Sequence, residues 1–139
     1  MHLNNSIVLC YYLDMNTKMK GDLAVAQAIQ YYMSNGYEVS LPIGDKRPYD
    51  IIIEIDGLLQ RVQIKYAGFY TGIGQHKAAL RITGGNRSSN NAKTYDKKDF
   101  DILFIFTANG RKFSLPWKDV KSKNEINIEH SKYRQYEVR

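Results

Sequence analysis

Between Lys20 and Ser34 the chain runs through strong helix formers, with Asp22, Ala26, Ile29 and Met33 on one stripe at helical spacing. That spacing predicts an amphipathic helix, ended by Asn35-Gly36. The period then changes to two. Tyr37-Glu38-Val39-Ser40-Leu41 alternates as a short strand and stops at Pro42, and a loop from Ile43 to Pro48 follows. Tyr49 to Ile55 and Leu58 to Tyr66 are two strand-like runs joined by Asp56-Gly57. Asp-Gly between such runs predicts a β-hairpin.

Gly68 to Gly74 reads as a loop, and Ala78 to Thr83 as a further strand. Gly84 to Ala92 is polar and reads as a mobile loop. Asp101-Ile102-Leu103-Phe104-Ile105-Phe106-Thr107 is a continuous apolar run of strand length, which predicts a central strand buried on both faces. Asn109-Gly110 turns into Lys112-Phe113-Ser114-Leu115, and Pro116-Trp117 opens a short helix through Val120. The tail from Asn124 to Arg139 has no firm period, and no internal repeat is present. A helix, a hairpin and a buried strand in this order predict an α/β or α+β fold, a mixed sheet with a helix packed on it.

At 139 residues and 43% hydrophobic the chain is expected to form one globular domain over residues 15–139. Met15-Asn16-Thr17-Lys18 reads like a natural N-terminus, so residues 1–14 are expected to be an upstream extension, with an edge strand at residues 7–13. Cys10 is the only cysteine, which excludes an intramolecular disulfide and a cysteine-based zinc site. A reducing, intracellular, cytoplasmic setting is the simplest fit. No apolar run approaches the roughly 20 residues needed to span a bilayer, so no membrane is expected as a partner.

The net charge of +6 is unevenly spread. Residues 1–64 carry five Lys/Arg against seven acids, whereas residues 65–98 carry seven against Asp96 alone, a local balance of +6. A solvated basic face kept for solubility explains this as well as a polyanionic partner does. What separates the two readings is where the positive segment begins. It begins at Lys65.

If Asp56 and Gly57 are the central turn residues, Ile55 faces Leu58, and counting outward sets Asp50 opposite Gln63. Lys65, two residues further, shares that face. A carboxylate, an amide and an amine then converge, a combination suited to phosphodiester hydrolysis, which needs a held divalent cation, an oriented water and positive charge. Asp50 supplies the hard oxygen that Mg²⁺ prefers, Gln63 and the backbone carbonyl of Ile64 supply further oxygens, and Lys65 orients water or stabilises charge. Asp22, at the start of the helix, is the candidate to complete the shell. Each residue also has a plain structural reading. Asp50 fits a turn leading into a strand, Asp22 a helix-dipole partner, and Gln63 and Lys65 the solvated half of an alternating strand. His76 and His130 lack ligand spacing and are expected at the surface, as are Glu54 and Asp56.

Lys20-Gly21-Asp22, Gly36-Tyr37-Glu38-Val39 ending at Pro42, Tyr49-Asp50 and Arg61-Val62-Gln63-Ile64-Lys65 together resemble the PD-(D/E)xK nuclease superfamily. Within it the chain is similar to the small endonucleases associated with group I introns. Leu80 to Thr83 and Tyr95 through Asp101-Ile102-Leu103-Phe104 extend the resemblance, which covers roughly residues 15 to 118. It implies a restriction-endonuclease-like core, a central mixed sheet flanked by helices, and a metal-dependent DNA endonuclease using Mg²⁺, with Mn²⁺ as a substitute. Carried over by motif, Asp50 is the metal-binding acid, Gln63 the (D/E) position, Lys65 the catalytic lysine and Asp22 the helix acid. Two departures stand out. Gln63 is neutral where an acid is commonest, and Asp22 is one methylene shorter than the usual Glu.

Lys77, Arg81, Arg87 and Lys93 are then expected to contact phosphates, with Tyr95 packing on or touching the backbone. The expected partner is double-stranded DNA. Cutting both strands calls for two active sites, so a homodimer or homotetramer is expected. The leading expectation is a site-specific, homing-type enzyme. A Holliday junction resolvase or repair nuclease of the same fold is the nearest rival, a catalytically inactive DNA-binding module the second, and an RNA-binding protein the third.

Overall fold

The computed structural model describes residues 15–82 and 93–139. The edge strand expected at residues 7–13, Thr83, Arg87 and the polar segment Gly84 to Ala92 lie outside them. The helix predicted at Lys20 to Ser34 is α1, Thr17–Ser34. Asn16 caps it, its Oδ1 accepting from the Met19 amide at 2.9 Å. At the other end the Gly36 amide donates to Met33 O at 3.1 Å and the Tyr37 amide to Tyr32 O at 3.0 Å. This double bond pattern closes the helix with Gly36 at φ 85°, a conformation that favours glycine.

The sheet follows from the strand pairings. β1 (Glu38–Ser40), β2 (Ile51–Ile55) and β3 (Leu58–Tyr70) form an antiparallel meander. β7 (Ile102–Thr107) lies parallel to β3, and β8 (Lys112–Pro116) and β10 (Glu137–Val138) follow it antiparallel. Between β3 and β7 in sequence come β4 (Gln75–Ala79), which pairs with β3 and with β9 (Glu125–Asn127), and a small ribbon of β5 (Arg81–Ile82) and β6 (Lys93–Thr94). The order β1-β2-β3-β7-β8-β10 is the mixed central sheet that the sequence predicts.

The apolar run of β7 is buried on both faces, as its lack of alternation requires. Phe104 and Phe106 join Ile51, Ile53, Val62 and Ile64 under Ala24, Ala28 and Tyr32 of α1. Leu103 and Ile105 face the other way, toward Ala67, Phe113, Leu115, Phe100 and Trp117. That second face is closed by β4, β9 and two 3-10 turns, Trp117–Asp119 and Ser131–Tyr136. Among the described residues α1 is the one α-helix, so the flanking helices expected from the resemblance are present on one face only.

Several expectations are corrected. Asp22, Ala26 and Met33 lie on the exposed side of α1, and the packed stripe is Ala24, Ala28 and Tyr32. The helix is rich in small residues on more than one face, so spacing alone misjudged its orientation. β3 runs to Tyr70, three residues into the segment read as a loop, because Gly68, Phe69 and Tyr70 find partners in Lys77, His76 and Gln75. The strand read at 78–83 is two short ones broken at Leu80. His76 is not at the surface. It is 5% exposed, alternating inward with Ala78 and Leu80, and its Nδ1 lies 3.2 Å from Glu129 Oε2. The tail is ordered by long-range pairing of β9 with β4 and β10 with β8.

Candidate active site

The hairpin turn fixes the register. Asp56 and Gly57 both have positive φ, 51° and 79°, the pair of values a tight two-residue hairpin turn needs. Ile55 consequently faces Leu58, and the pairing continues to Ile51 opposite Val62. One residue further, where Pro48-Tyr49 draws the chain away, the Asp50 amide still donates to Val62 O at 2.9 Å. From there the side chain takes over from the backbone. Asp50 Oδ2 accepts from the Ile64 amide at 2.7 Å and from Gln63 Nε2 at 2.8 Å.

Gln63 is buried, 7% exposed, and Nε2 also donates to Ile64 O at 3.1 Å. It is therefore the nitrogen of the amide, not the oxygen, that faces the acid. Lys65 shares the face, as alternation requires. Its Nζ donates to Arg81 O at 3.4 Å and lies 5.1 Å from the centre of the Tyr95 ring. Burial pushes the Asp50 carboxyl above its usual range, while the Ile64 amide and Lys65 pull it back. Burial lowers the Lys65 ammonium, with Asp50 opposing the shift. Tyr95, desolvated and near Asp50 and Asp99, is pushed up to about 12.

These groups line a cleft of about 440 Å³, together with Asp45, Lys46 and Arg47 from the loop before Pro48 and with Ile82, Lys93, Tyr95 and Asp99. Lys46, Arg47 and Asp99 were not singled out by sequence reasoning. The first two sit in the loop before Pro48, within the acid-rich N-terminal half, and only their proximity to Asp50 along the chain hinted at them.

Other expected residues are elsewhere. Asp22 is exposed on α1 and is not among the residues that line the cleft. The reason is alternation: α1 packs on the sheet face carrying Val62 and Ile64, whereas Gln63 and Lys65 point from the opposite face. Lys77 is engaged with Glu125 at 2.7 Å, tying β4 to β9. Arg81 contributes its backbone carbonyl to Lys65, and its side chain is exposed.

The fit to a divalent cation can be judged from the oxygens. Asp50 Oδ2 and Ile64 O converge on one point, and a carboxylate with a carbonyl is a donor set for a hard cation such as Mg²⁺, which keeps several waters or phosphate oxygens as its other ligands. The set is lean, since no group of three His, Cys, Asp or Glu able to hold a metal exists among the described residues.

A mixed sheet with an acid and a lysine on neighbouring chain segments at one end, in a cleft, defines the class as a nuclease of restriction-endonuclease-like fold. Its sequence bears this out: the profile of the PD-(D/E)XK endonuclease family matches residues 15–139, and the chain belongs to that family. Among solved structures it is similar to the bacterial homing endonuclease I-Ssp6803I, with a TM-score of 0.74 and 28% identity over 90% of this chain and 86% of that one. No curated protein matches it. No helix among the described residues is long and apolar enough to cross a membrane.

Proposed function

We propose that the protein is a metal-dependent DNA endonuclease of homing type, cutting duplex DNA as a homo-oligomer. The observation that carries this is the convergence of Asp50 Oδ2, Ile64 O and the Gln63 amide beside Lys65 in one cleft. The likeness to a homing endonuclease supports the choice within the family.

In this reading Asp50 and Ile64 O, joined by Gln63 through its amide oxygen, would hold Mg²⁺, for which Mn²⁺ would substitute. The cation, when bound, supplies Lewis-acid polarisation of the phosphate and lowers the pKa of water. The chain's own groups do the rest. Lys46, Arg47 and Lys93 grip the phosphates at the cleft. Lys65, anchored by Arg81 O and backed by Tyr95, orients the attacking water and faces the charge that builds on the phosphorus oxygens. The water oxygen forms the new P–O bond as the bond to the sugar oxygen breaks, and a proton passes to the leaving oxygen.

Incubating the full chain with supercoiled plasmid, linear duplex and four-way junction, with Mg²⁺ or EDTA, tests this directly. Cutting of plasmid and linear duplex that carry the target site, in Mg²⁺ alone, is expected. Absence of cutting with sequence-specific DNA binding intact overturns the enzyme reading, and preference for junctions overturns the homing reading. Sedimentation of the protein on its target tests the oligomer, which a monomer at the cut site would exclude.

A further inference from the structure

Gln63 is the residue at which this chain departs from the commonest motif, and its surroundings suggest what the neutral amide does. Its Nε2 donates to Asp50 Oδ2 at 2.8 Å and to Ile64 O at 3.1 Å. Both partners are acceptors, so the orientation of the amide is dictated. Turned over, Oε1 would meet a carboxylate and a carbonyl with no proton between them. A donor group with partial positive charge therefore stands at the point on which the two hard oxygens converge. That is where a cation would have to sit.

We propose that the Gln63 amide is a surrogate for the divalent cation, holding Asp50 Oδ2 and Ile64 O in ligand position until the cation displaces it. This rests on the nuclease reading above and deepens it. Loading then requires the NH2 group to leave, by rotation of the amide that turns Oε1 inward or by withdrawal of the side chain. An acid at this position would do the opposite. Without a cation, it would set a second carboxylate beside Asp50 in a buried site, where like charges repel. Gln63 exchanges that repulsion for two hydrogen bonds, keeping the cation-free site closed at the expense of cation affinity. Gln63 is in this sense a positioning residue before loading and a ligand after it.

The Gln63→Glu variant and the wild-type amide itself provide the test. Calorimetric titration with Ca²⁺, which occupies such sites without the chemistry having to proceed, is expected to show binding about tenfold tighter in Q63E, since two modest hydrogen bonds no longer oppose loading. Melting in EDTA is expected at a lower temperature for Q63E than for wild type, and the order is expected to reverse when Ca²⁺ is added. In wild-type protein labelled with ¹⁵N, the Gln63 side-chain NH2 signals, assigned through their own backbone, are expected to shift as Ca²⁺ saturates. This last readout does not depend on how well Q63E folds. Saturation by Ca²⁺ that is abolished in Asp50→Ala while the wild-type Gln63 NH2 signals stay in place overturns the surrogate and leaves the nuclease reading standing. Failure of Ca²⁺, Mg²⁺ and Mn²⁺ alike to bind wild type overturns both.

Discussion

Lys65 Nζ lies 5.1 Å from the centre of the Tyr95 ring, so the aromatic face forms one wall of the ammonium's site. With its hydroxyl pushed up to about 12, Tyr95 stays neutral under ordinary conditions and serves Lys65 through its ring. Tyr95→Phe is expected to cut DNA within a few-fold of wild type. Tyr95→Ala, which opens the wall to water, is expected to lose roughly 3- to 30-fold in kcat. Equal rates for Ala and wild type would remove Tyr95 from the positioning of Lys65.

Lys65 and Asp50 each steady the charged form of the other against the burial they share. Lys65→Ala and Asp50→Ala are each expected to lower kcat by about 10²- to 10³-fold or more, as removal of a preorganised charge does elsewhere. Filter binding should find DNA affinity within a few-fold of wild type. Loss of affinity in parallel with rate would show that these residues grip DNA and do not act on it.

Lys46, Arg47 and Lys93 border the same cleft, the first two from the loop before Pro48 and the third from β6. Each phosphate contact removed is expected to flatten the plot of log affinity against log salt by about 0.9. Single Ala variants measured between low and moderate ionic strength test this one residue at a time. Lys77, committed to Glu125, is the internal control and should leave the slope unchanged.

Arg61 and Asp101 form a two-pronged pair, Nε to Oδ2 and Nη2 to Oδ1 at 3.1 Å each, which fastens β3 to the start of β7. The Arg61 side chain, followed by its own amide, holds the Asp101 carboxyl below its usual range. A depressed carboxyl stabilises the fold above its unfolded pKa of about 4, and that stabilisation is lost as pH falls through the folded value. Both side chains are more than a third exposed, so screening limits the pair to about 1 kcal/mol. Asp101→Asn is expected to be less stable than wild type by that amount in urea at neutral pH, with the gap closing as pH falls below about 4. A gap independent of pH would assign the effect to packing.

The sequence carried the hairpin because both of its determinants are local: a two-residue turn and strict alternation. Asp50, Gln63 and Lys65 could be brought together by counting. The burial of β7 was legible for a similar reason, since an unbroken apolar run has no solvent face to offer. What depended on distant partners was not. Lys46 and Asp99 are far apart along the chain and come to wall one cleft only through the tertiary fold. β9 and β10 have little pattern of their own and take their form from β4 and β8. His76 did leave a trace, alternating with Ala78 and Leu80, but a polar residue read as a surface residue until its partner Glu129 was in view. In α1 the small side chains of Ala24 and Ala28, which pack in one cluster with Ile51 and Phe104, were outweighed by the stripe Asp22, Ala26, Ile29 and Met33, of which Ile29 alone packs on the core.

The two arms of the hairpin, Ile51–Ile55 and Leu58 onward, act as a ruler with a two-residue unit. Adding or deleting one residue within either arm rotates everything beyond it by half a turn, sending Asp50 under α1 or burying Lys65 against Phe104. Change of length is thus forbidden in the arms and free in the turn. Insertions or deletions that accumulate among descendants of this chain should cluster at Asp56-Gly57 or before Pro48, and a surviving enzyme will be one that has kept the count from its acid to the turn and from the turn to its lysine.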